Sequence, residues 1–354
     1  MTVGEKVGAP AGGTPAPGAS GRRWLRWPEE AGEAVKRNLG LVGVLVAIIL
    51  VGVATKPELF LDGGWLWNNE LLILTQAAAI GVIAVGMTFV MISGGIDLSV
   101  GALVALSSVW CTTVATQEFG VGGMVFAALV VGTLAGAVNG LLIGYGRIVP
   151  FIATLAMLVA ARGLAQRISG KLTQRVSTEN RLIPDLSSTK WLGIPALVVI
   201  LLVVAAAGWV LLNRTTFGRR TFAIGGNAEA ARLAGINIRR HTVLVYALSG
   251  LCCGIGALIV VSLSSAGAAD HGELYELDAI AAAIIGGTAL AGGRGSIVGA
   301  ILGVLIFKGI TNLFIVNNLE QEYQLIVKGA IIIGAVLVQG FNLSSLRRRR
   351  SAAG

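Results

Sequence analysis

Few polar side chains of this chain could do chemistry, and most of them stand in stretches that are otherwise apolar. Asp97 is the clearest case, because Gly94 and Gly95 precede it and separate two apolar runs. A carboxylate in such surroundings needs a partner or water, so Asp97 could be a gate or path residue presented by a broken helix. The favoured interpretation is that Asp97 caps the following helix, with Gly94 or Gly95 ending the helix before it. The two roles are compatible.

Three amides also lie inside apolar runs, namely Gln76, Asn139 and Asn312. They could bind the hydroxyl groups of a polyol, and hydrogen bonding between helices explains them at least as well. The sequence contains no motif of a phosphate-binding loop, a zinc protease or a serine hydrolase. The three cysteines have no histidine at metal-ligand spacing. We therefore expect no catalytic residue, no metal and no bound cofactor.

The polar segment of residues 213–240 lies between two long apolar runs. Asn227 can cap a short helix there, Glu229 then falls in its favourable first turn, and Gly235 can end it. One face of that helix carries small and apolar side chains, Ala230, Leu233 and Ala234. A compact helix of this kind could dock into another protein, or the segment could be a basic loop that only orients the chain. These residues alone leave both interpretations open.

The composition places these segments in a membrane protein. Of the 354 residues, 55% are hydrophobic and 13% are charged, and the mean hydropathy is +0.81. Such a chain is too apolar for a water-soluble domain, and its apolar runs are long enough to cross lipid. The net charge of +9 does not indicate nucleic-acid binding, because the basic residues cluster in tails and in short loops beside apolar runs. We expect an all-α, multi-pass protein of the lipid bilayer that binds no nucleic acid.

The apolar runs predict about ten transmembrane helices, at 39–55, 71–93, 97–116, 121–144, 148–168, 194–212, 241–264, 279–291, 296–316 and 323–341. A cytoplasmic N-terminus places most of the 27 Lys and Arg residues in the cytoplasm, and the C-terminus is then cytoplasmic too. The expected organisation is a disordered basic arm (1–38), a transmembrane domain (39–341) with a cytoplasmic loop at 213–240, and a basic cytoplasmic tail (342–354). The basic residues in the outer loop at 169–193 fit this topology least well.

Glycine recurs at every fourth residue in two of these runs, at Gly132, Gly136, Gly140 and Gly144 and at Gly295, Gly299 and Gly303. Such stripes let helices approach closely, and we favour packing within one subunit over a dimer seam. Residues 94–103 also resemble residues 292–301, with a Gly-Gly pair and a later Val-Gly-Ala in register. Glycine-interrupted segments in both halves of a chain point toward a transport path, and chance similarity is the rival explanation.

Two basic residues, Arg162 and Lys308, fall well inside predicted spans. An unpaired charge there costs roughly 2.5–3.5 kcal/mol, so each side chain must face protein, water or a route to the membrane surface. Asp97 is the only acidic residue expected near the interior of a span. A proton relay made of carboxylates is therefore poorly supported.

Several motifs, in this order, resemble those of the permease subunits of ribose-type ATP-binding-cassette importers. They lie at residues 94–101 (Gly-Gly-Ile-Asp-Leu-Ser-Val-Gly), 150–155 (Pro-Phe-Ile-Ala-Thr-Leu), 226–236, 275–282, 286–288 and 292–295. The resemblance covers roughly residues 70–340. The arm at 1–38 and the arginine-rich tail lie outside it.

This resemblance implies a type II-like permease of a bacterial plasma membrane, one half of a homodimer. A cytoplasmic ATPase would bind the ATP, and an extracytoplasmic sugar-binding protein would deliver a monosaccharide such as ribose or xylose. The family's coupling helix maps onto residues 226–235, which favours the docking interpretation, and the residues assigned to it are Gly226, Asn227, Ala231, Leu233, Ala234 and Gly235. Lys308 departs from the small uncharged residue usual in the family, which places a substrate path along its helix in doubt.

Three alternatives remain. A branched-chain amino-acid permease would share the general pattern, but its zwitterionic cargo should need fixed charges or helix ends along the path. A proton-coupled carrier would work without any ATPase. An integral-membrane enzyme is the alternative of a different class, and the spacing of His241 and His271 gives it no support.

Overall fold

The computed structural model describes residues 27–320, 322–331, 333–334 and 337, and these residues are mostly helical. The helices are α1 (Trp27–Thr55), α2 (Pro57–Phe60), α3 (Gly63–Ile92), α4 (Val100–Cys111), α5 (Val114–Gln117), α6 (Gly120–Gly144), α7 (Pro150–Ser169), α8 (Leu182–Asp185), α9 (Ala196–Arg214), α10 (Thr216–Gly226), α11 (Ala228–Leu233), α12 (Ile238–Ser264), α13 (Tyr275–Ile285) and α14 (Ile297–Val316). Residues 322–331 are also helical. The strands are β1 (Gln174–Arg175), β2 (Lys190–Trp191), β3 (Ile194–Pro195) and β4 (Ala266–Gly267).

Seven of the described helices are long and apolar enough to cross a membrane: α1, α3, α6, α7, α9, α12 and α14. Ten spans were predicted, and the difference has a physical cause at two of them. The helices α4 and α13 have 12 and 11 residues, and at 1.5 Å per residue they are only about 16–18 Å long. Neither can cross a hydrocarbon core of about 30 Å by itself. The expected span at 97–116 is therefore a short helix preceded by a loop, and the one at 279–291 ends early, at Ile285.

The core is built around α3. Every residue from 77 to 92 is buried, because this segment is apolar on all sides and is surrounded by α9, α12, α13 and α14. The helix α4 is equally buried from Ser99 to Val109. In contrast, α1 and one face each of α6, α7 and α9 expose large apolar side chains. A membrane protein needs such faces, since lipid or a partner covers them.

Hydrogen bonds group the loops at the two ends of the bundle. At one end, Gln117 bonds to Arg175 and Ser177, and β1 pairs with β4. At the other end, the N–H of Gly293 donates to the carbonyl of Ile92. All of the loops that meet at each end were predicted to lie on the same side of the membrane. The grouping therefore agrees with the predicted alternation of loops.

Both glycine stripes pack within the subunit, as predicted. A Cβ atom at Gly136 or Gly140 would collide with the backbone of α12, and one at Gly299 or Gly303 would collide with α13. The contact between α6 and α12 is the most extensive between any two described helices. The same face of α6 therefore cannot also be a dimer seam.

The structure describes only part of the two terminal segments that were predicted at 1–38 and 342–354. The chain divides into two contact units, residues 1–37 and 38–354. Residues 27–38, which were expected to belong to the disordered arm, are the first turns of α1. Most of the arm and the basic tail at 342–354 lie outside the described residues.

Candidate functional site

The polar segment at 213–240 folds into two consecutive helices, α10 and α11, between the long helices α9 and α12. Only α11 was predicted. The signal for α10 was present in the sequence, since Thr215 caps the helix and Phe217, Thr221 and Ile224 recur at helical spacing. This spacing places Thr221 and Ile224 on the buried face of α10.

The helix α11 begins and ends as the sequence predicts. The side chain of Asn227 accepts a hydrogen bond of 2.9 Å from the N–H of Ala230, which satisfies one free donor of the first turn. At the other end Gly235 adopts a left-handed conformation (φ +81°), and the N–H of Ile236 bonds to the carbonyl of Ala231. This is the Schellman arrangement that glycine favours.

Glu229 and Arg232 form an ion pair on the exposed surface of α11, with Nε and Oε2 2.9 Å apart. The hydrogen bond from Arg232 lowers the pKa of Glu229, so this carboxylate stays ionised at neutral pH. The pair lies at helical spacing i, i+3, and the acidic residue is in the first turn, where the helix dipole favours it. The two opposite charges on the surface of α11 therefore neutralise each other.

The residues assigned to coupling occupy two different environments. Every residue from 226 to 235 is exposed except Ala231, which is buried against the subunit itself. Leu233 has 75% of its surface exposed. Gly226, Asn227, Leu233, Ala234 and Gly235 therefore form a solvent-facing knob, and Ala231 anchors it.

The knob is attached to the bundle through α10. The hydroxyl of Thr221 and Nε2 of His241, in α12, are 2.9 Å apart. The ring of Phe217 packs between His241, at 4.6 Å, and Phe89 of α3, at 5.8 Å. These contacts connect α10 to two helices of the core. His241 is thus one of the residues that join α10 to α12.

Glycine lets three segments meet where α10 ends. A Cβ at Gly225 would collide with the carbonyl oxygen of Ile92 and lie 2.6 Å from the nitrogen of Gly293. Gly292 lies against Gly94, since its Cβ would be 3.0 Å from that residue's Cα. We call these residues, 94, 225, 226, 292 and 293, the glycine junction. It brings together the two glycine-interrupted segments of the internal repeat and the base of the knob.

Asp97 lies next to this junction and is fully buried. Its carboxylate accepts hydrogen bonds from the N–H and the hydroxyl of Ser99, at 3.0 and 2.6 Å, and from the hydroxyl of Ser249, at 2.9 Å. Asn139 donates to the same Ser99 hydroxyl at 2.9 Å. Asp97 therefore holds Ser99, the N-cap residue of α4, and joins it to α6 and α12; the prediction that Asp97 is itself the cap of that helix is wrong. Gly94 supplies the left-handed turn before it, with φ +87°.

The remaining predicted path residues are not part of this cluster. Asn312, in α14, exchanges two amide hydrogen bonds with Asn69 in α3, at 3.0 and 3.1 Å. Gln76 lies on an exposed part of α3. The structure therefore brings together Gly94, Gly95, Asp97 and Asn139 and leaves Gln76 and Asn312 apart.

One buried acidic residue was assigned to the wrong environment. The predicted spans at 241–264 and 279–291 leave Asp278 in the loop between them, but it lies inside α13, has 6% of its surface exposed and pairs with Lys328 at 3.3 Å. The ammonium group of Lys328 also lies 5.2 Å from the ring centre of Phe307. The charge of Asp278 partly offsets that of Lys308 on α14. The misjudged start of α13 explains the error, because the helix begins four residues earlier than the span predicted at 279.

The comparisons with known proteins cover nearly the whole of this architecture. A family model described as "Branched-chain amino acid transport system / permease component" matches residues 70–336. The ribose import permease protein RbsC of Bacillus subtilis (strain 168) is 39% identical over 326 residues, covering 86% of this chain and 94% of that protein. The galactofuranose transporter permease protein YtfT of Escherichia coli (strain K12) is 35% identical, covering 92% and 94%.

A third relative, the xylose transport system permease protein XylH of Escherichia coli (strain K12), is 32% identical and covers 88% of this chain and 92% of its own length. No solved structure matches the chain. The family match spans both segments of the internal repeat, the knob and the glycine junction. On this basis the chain belongs to the family of permease components described as branched-chain amino acid transport systems, within which its named relatives include sugar permeases.

Proposed function

We propose that this chain is the membrane-spanning subunit of an ATP-driven importer that carries a monosaccharide, such as ribose or xylose, across a bacterial plasma membrane. The permease family and the printed names of the relatives support this proposal. A separate cytoplasmic ATPase binds and hydrolyses the ATP, and an extracytoplasmic sugar-binding protein delivers the sugar. A second copy of the chain completes the conduit.

The proposed architecture is the type II-like arrangement of ten membrane segments with both termini in the cytoplasm. Seven long helices supply most of it. The short helices α4 and α13 would count as two further segments, each completed by its adjoining loop, and residues 322–331 would begin the tenth. Non-helical backbone is tolerated at membrane depth where protein surrounds it, which is the setting of the buried Asp97 loop.

The observation that carries the proposal is the exposed knob at residues 226–235. It is a short, rigidly capped helix with an exposed leucine, and hydrogen bonds and ring contacts attach it to the core. A subunit without its own nucleotide site must receive work mechanically. A docked ATPase would push or pull the knob as a rigid body, and α10 would pass the movement on.

The glycine junction is the proposed route from the knob to the conduit. Gly225 packs against the backbone of Ile92 at the end of α3 and of Gly293 before α14, so a movement of Gly225 would displace both. These are the two places where the helices of the internal repeat are interrupted. Closure of the ATPase would therefore reach both interrupted segments at once, through backbone contacts without intervening side chains.

The cargo is the point on which the family description and the relatives differ. The description names branched-chain amino acids, whereas the three relatives compared above are named for ribose, galactofuranose and xylose. The identities of 32–39% over most of the chain favour a sugar. Uptake of labelled ribose, xylose and leucine by the complete transporter separates the two cargo classes.

Substitution of Leu233 tests the docking role. Leu233→Arg is expected to reduce sugar uptake at least about tenfold, which corresponds to about 1.4 kcal/mol of lost docking energy. The subunit should still reach the membrane in normal amounts, because Leu233 is 75% exposed and contributes little to folding. Leu233→Met, which keeps the apolar surface, is the control. Undiminished co-purification of the ATPase with Leu233→Arg would argue against the knob as the docking site.

A further inference from the structure

We propose that a polar cavity beside α7 binds the transported sugar through its hydroxyl groups as it enters the conduit; this inference rests on the proposed function. The cavity, called the α7 cavity below, has a volume of about 560 Å³, within the range of ligand sites in proteins. Its polar lining consists of Arg162, Gln166, Lys171, Thr173, Asp270, Glu273 and Glu276. It lies at the end of the bundle predicted to face outward.

Arg162 is the donor at the base of this cavity. It was singled out as a charge inside a predicted span, and the structure shows how the charge is accommodated. Its Nη1 atom donates to the carbonyl oxygens of Ala269, at 2.5 Å, and His271, at 2.9 Å. A guanidinium group carries five N–H donors. The two carbonyls hold the side chain in place and leave further donors for a ligand in the cavity that Arg162 lines.

Glu276 carries a carboxylate oxygen that accepts no hydrogen bond from the described residues. This atom, Oε2, is buried. The space for this carboxylate exists because residue 101 is glycine, since a Cβ there would collide with Oε2 of Glu276. A buried acceptor without a donor is costly. Glu276 also lines the α7 cavity, so a sugar hydroxyl there would supply the missing donor once the carboxylate turns from Gly101 toward the cavity.

The charges around the α7 cavity favour a neutral polyol. Its lining carries three carboxylates and two basic side chains, so an anion would meet a surplus of negative charge. A sugar hydroxyl both donates and accepts hydrogen bonds. It can therefore donate to Glu276 or Asp270 and accept from Arg162 or Gln166 within one site.

The test uses the complete transporter, with its ATPase and binding protein, in proteoliposomes. The variants are Glu276→Gln and Gln166→Leu, and the control is Glu118→Gln, an exposed residue away from the cavity at the same end of the bundle. The measured quantity is the amount of ribose or xylose imported per ATP hydrolysed. We expect about a tenfold fall for both cavity variants, because Glu276→Gln replaces a charged acceptor with a neutral one and Gln166→Leu removes a hydrogen bond between neutral groups. Glu118→Gln should match the wild type.

The stimulation of ATP hydrolysis by the sugar-loaded binding protein should remain at the wild-type level in both cavity variants, because the knob is unchanged. If the variants import sugar as the wild type does, the α7 cavity is not a sugar site. Gln166 is exposed, so Gln166→Leu keeps the test decisive even if Glu276→Gln folds poorly. If wild-type proteoliposomes hydrolyse ATP but import leucine and neither sugar, the proposed function itself is wrong and the inference falls with it.

Discussion

Gly225 lies near the end of α10, where α10 meets the end of α3 and the segment before α14. Gly225→Ala is expected to destabilise the subunit by about 1–3 kcal/mol, the usual cost of overpacking a close contact. Both the melting temperature of the purified subunit and sugar uptake should fall. Gly122→Ala is the control, because a Cβ at Gly122 meets nothing within 4 Å and this residue of α6 lies outside the knob and the glycine junction. Equal behaviour of the two variants would mean that the junction tolerates movement and does not transmit it.

Asp97 offers a test between a structural role and a role as a gate. Its carboxylate accepts three hydrogen bonds in a buried site. Asp97→Ala should therefore lower the melting temperature by several degrees and Asp97→Asn should lower it less, since bonds to a charged group contribute about 1.5–3 kcal/mol. Uptake should fall in proportion to the loss of folded subunit. A variant that folds normally but no longer imports sugar would favour the gate role instead.

The residues predicted as sites differ in how well the sequence alone could place them. Asn227 and Gly235 were placed correctly because capping and left-handed turns depend on neighbouring residues. The bond between Asp97 and Ser249 could not be predicted, because Ser249 is 152 residues away along the chain. The same holds for Asn312, whose partner Asn69 is 243 residues away. Contacts over such separations depend on how helices pack, which a local pattern does not encode.

At the scale of helices, α6 and α12 form the closest pair, and glycine makes their approach possible. Gly136→Leu should sharply reduce the amount of subunit in the membrane, because a side chain there strikes the backbone of Tyr246 and Gly250. Gly122→Leu lies on the same helix, where a Cβ meets nothing within 4 Å, and should be tolerated. Quantitative immunoblotting of membranes measures both. Equal abundance would show that the stripe is not needed for packing.

Hydropathy predicted the long helices well and the short ones poorly. The first, sixth and seventh spans were placed within a few residues at their C-terminal ends. The bounds of α4 and α13 were missed because hydropathy does not register where an apolar segment stops being helical. Glycines and polar caps mark those points, as at Gly94 and Gly286. The amphipathic helix α10 was missed because its polar residues lower the mean hydropathy of the segment, so a search for apolar runs does not detect it.

At the scale of the whole molecule, the topology can be tested with single thiols. The native residues Cys111, Cys252 and Cys253 are all buried and unpaired, so they should react slowly. A membrane-impermeant maleimide added to intact cells should label Leu192→Cys, whose position is fully exposed in the predicted outer loop. Asn227→Cys should be labelled only after the cells are permeabilised. Labelling of Asn227→Cys in intact cells would place the knob on the outer side and contradict ATPase docking.

The sequence by itself determined the class of the molecule, because the number and length of apolar runs, the positions of basic residues and the capping motifs are local quantities. They predicted a multi-pass helical protein, a capped helix at 227–235 and helix interruptions at Gly94 and Gly292, and the resemblance predicted a permease. The tertiary structure decided which of these segments contact one another. It buried Asp97 and paired Asp278 with Lys328. It also joined the knob to both interrupted segments through Gly225. These arrangements depend on close packing between residues far apart in the chain, where a single Cβ atom decides whether two backbones can touch.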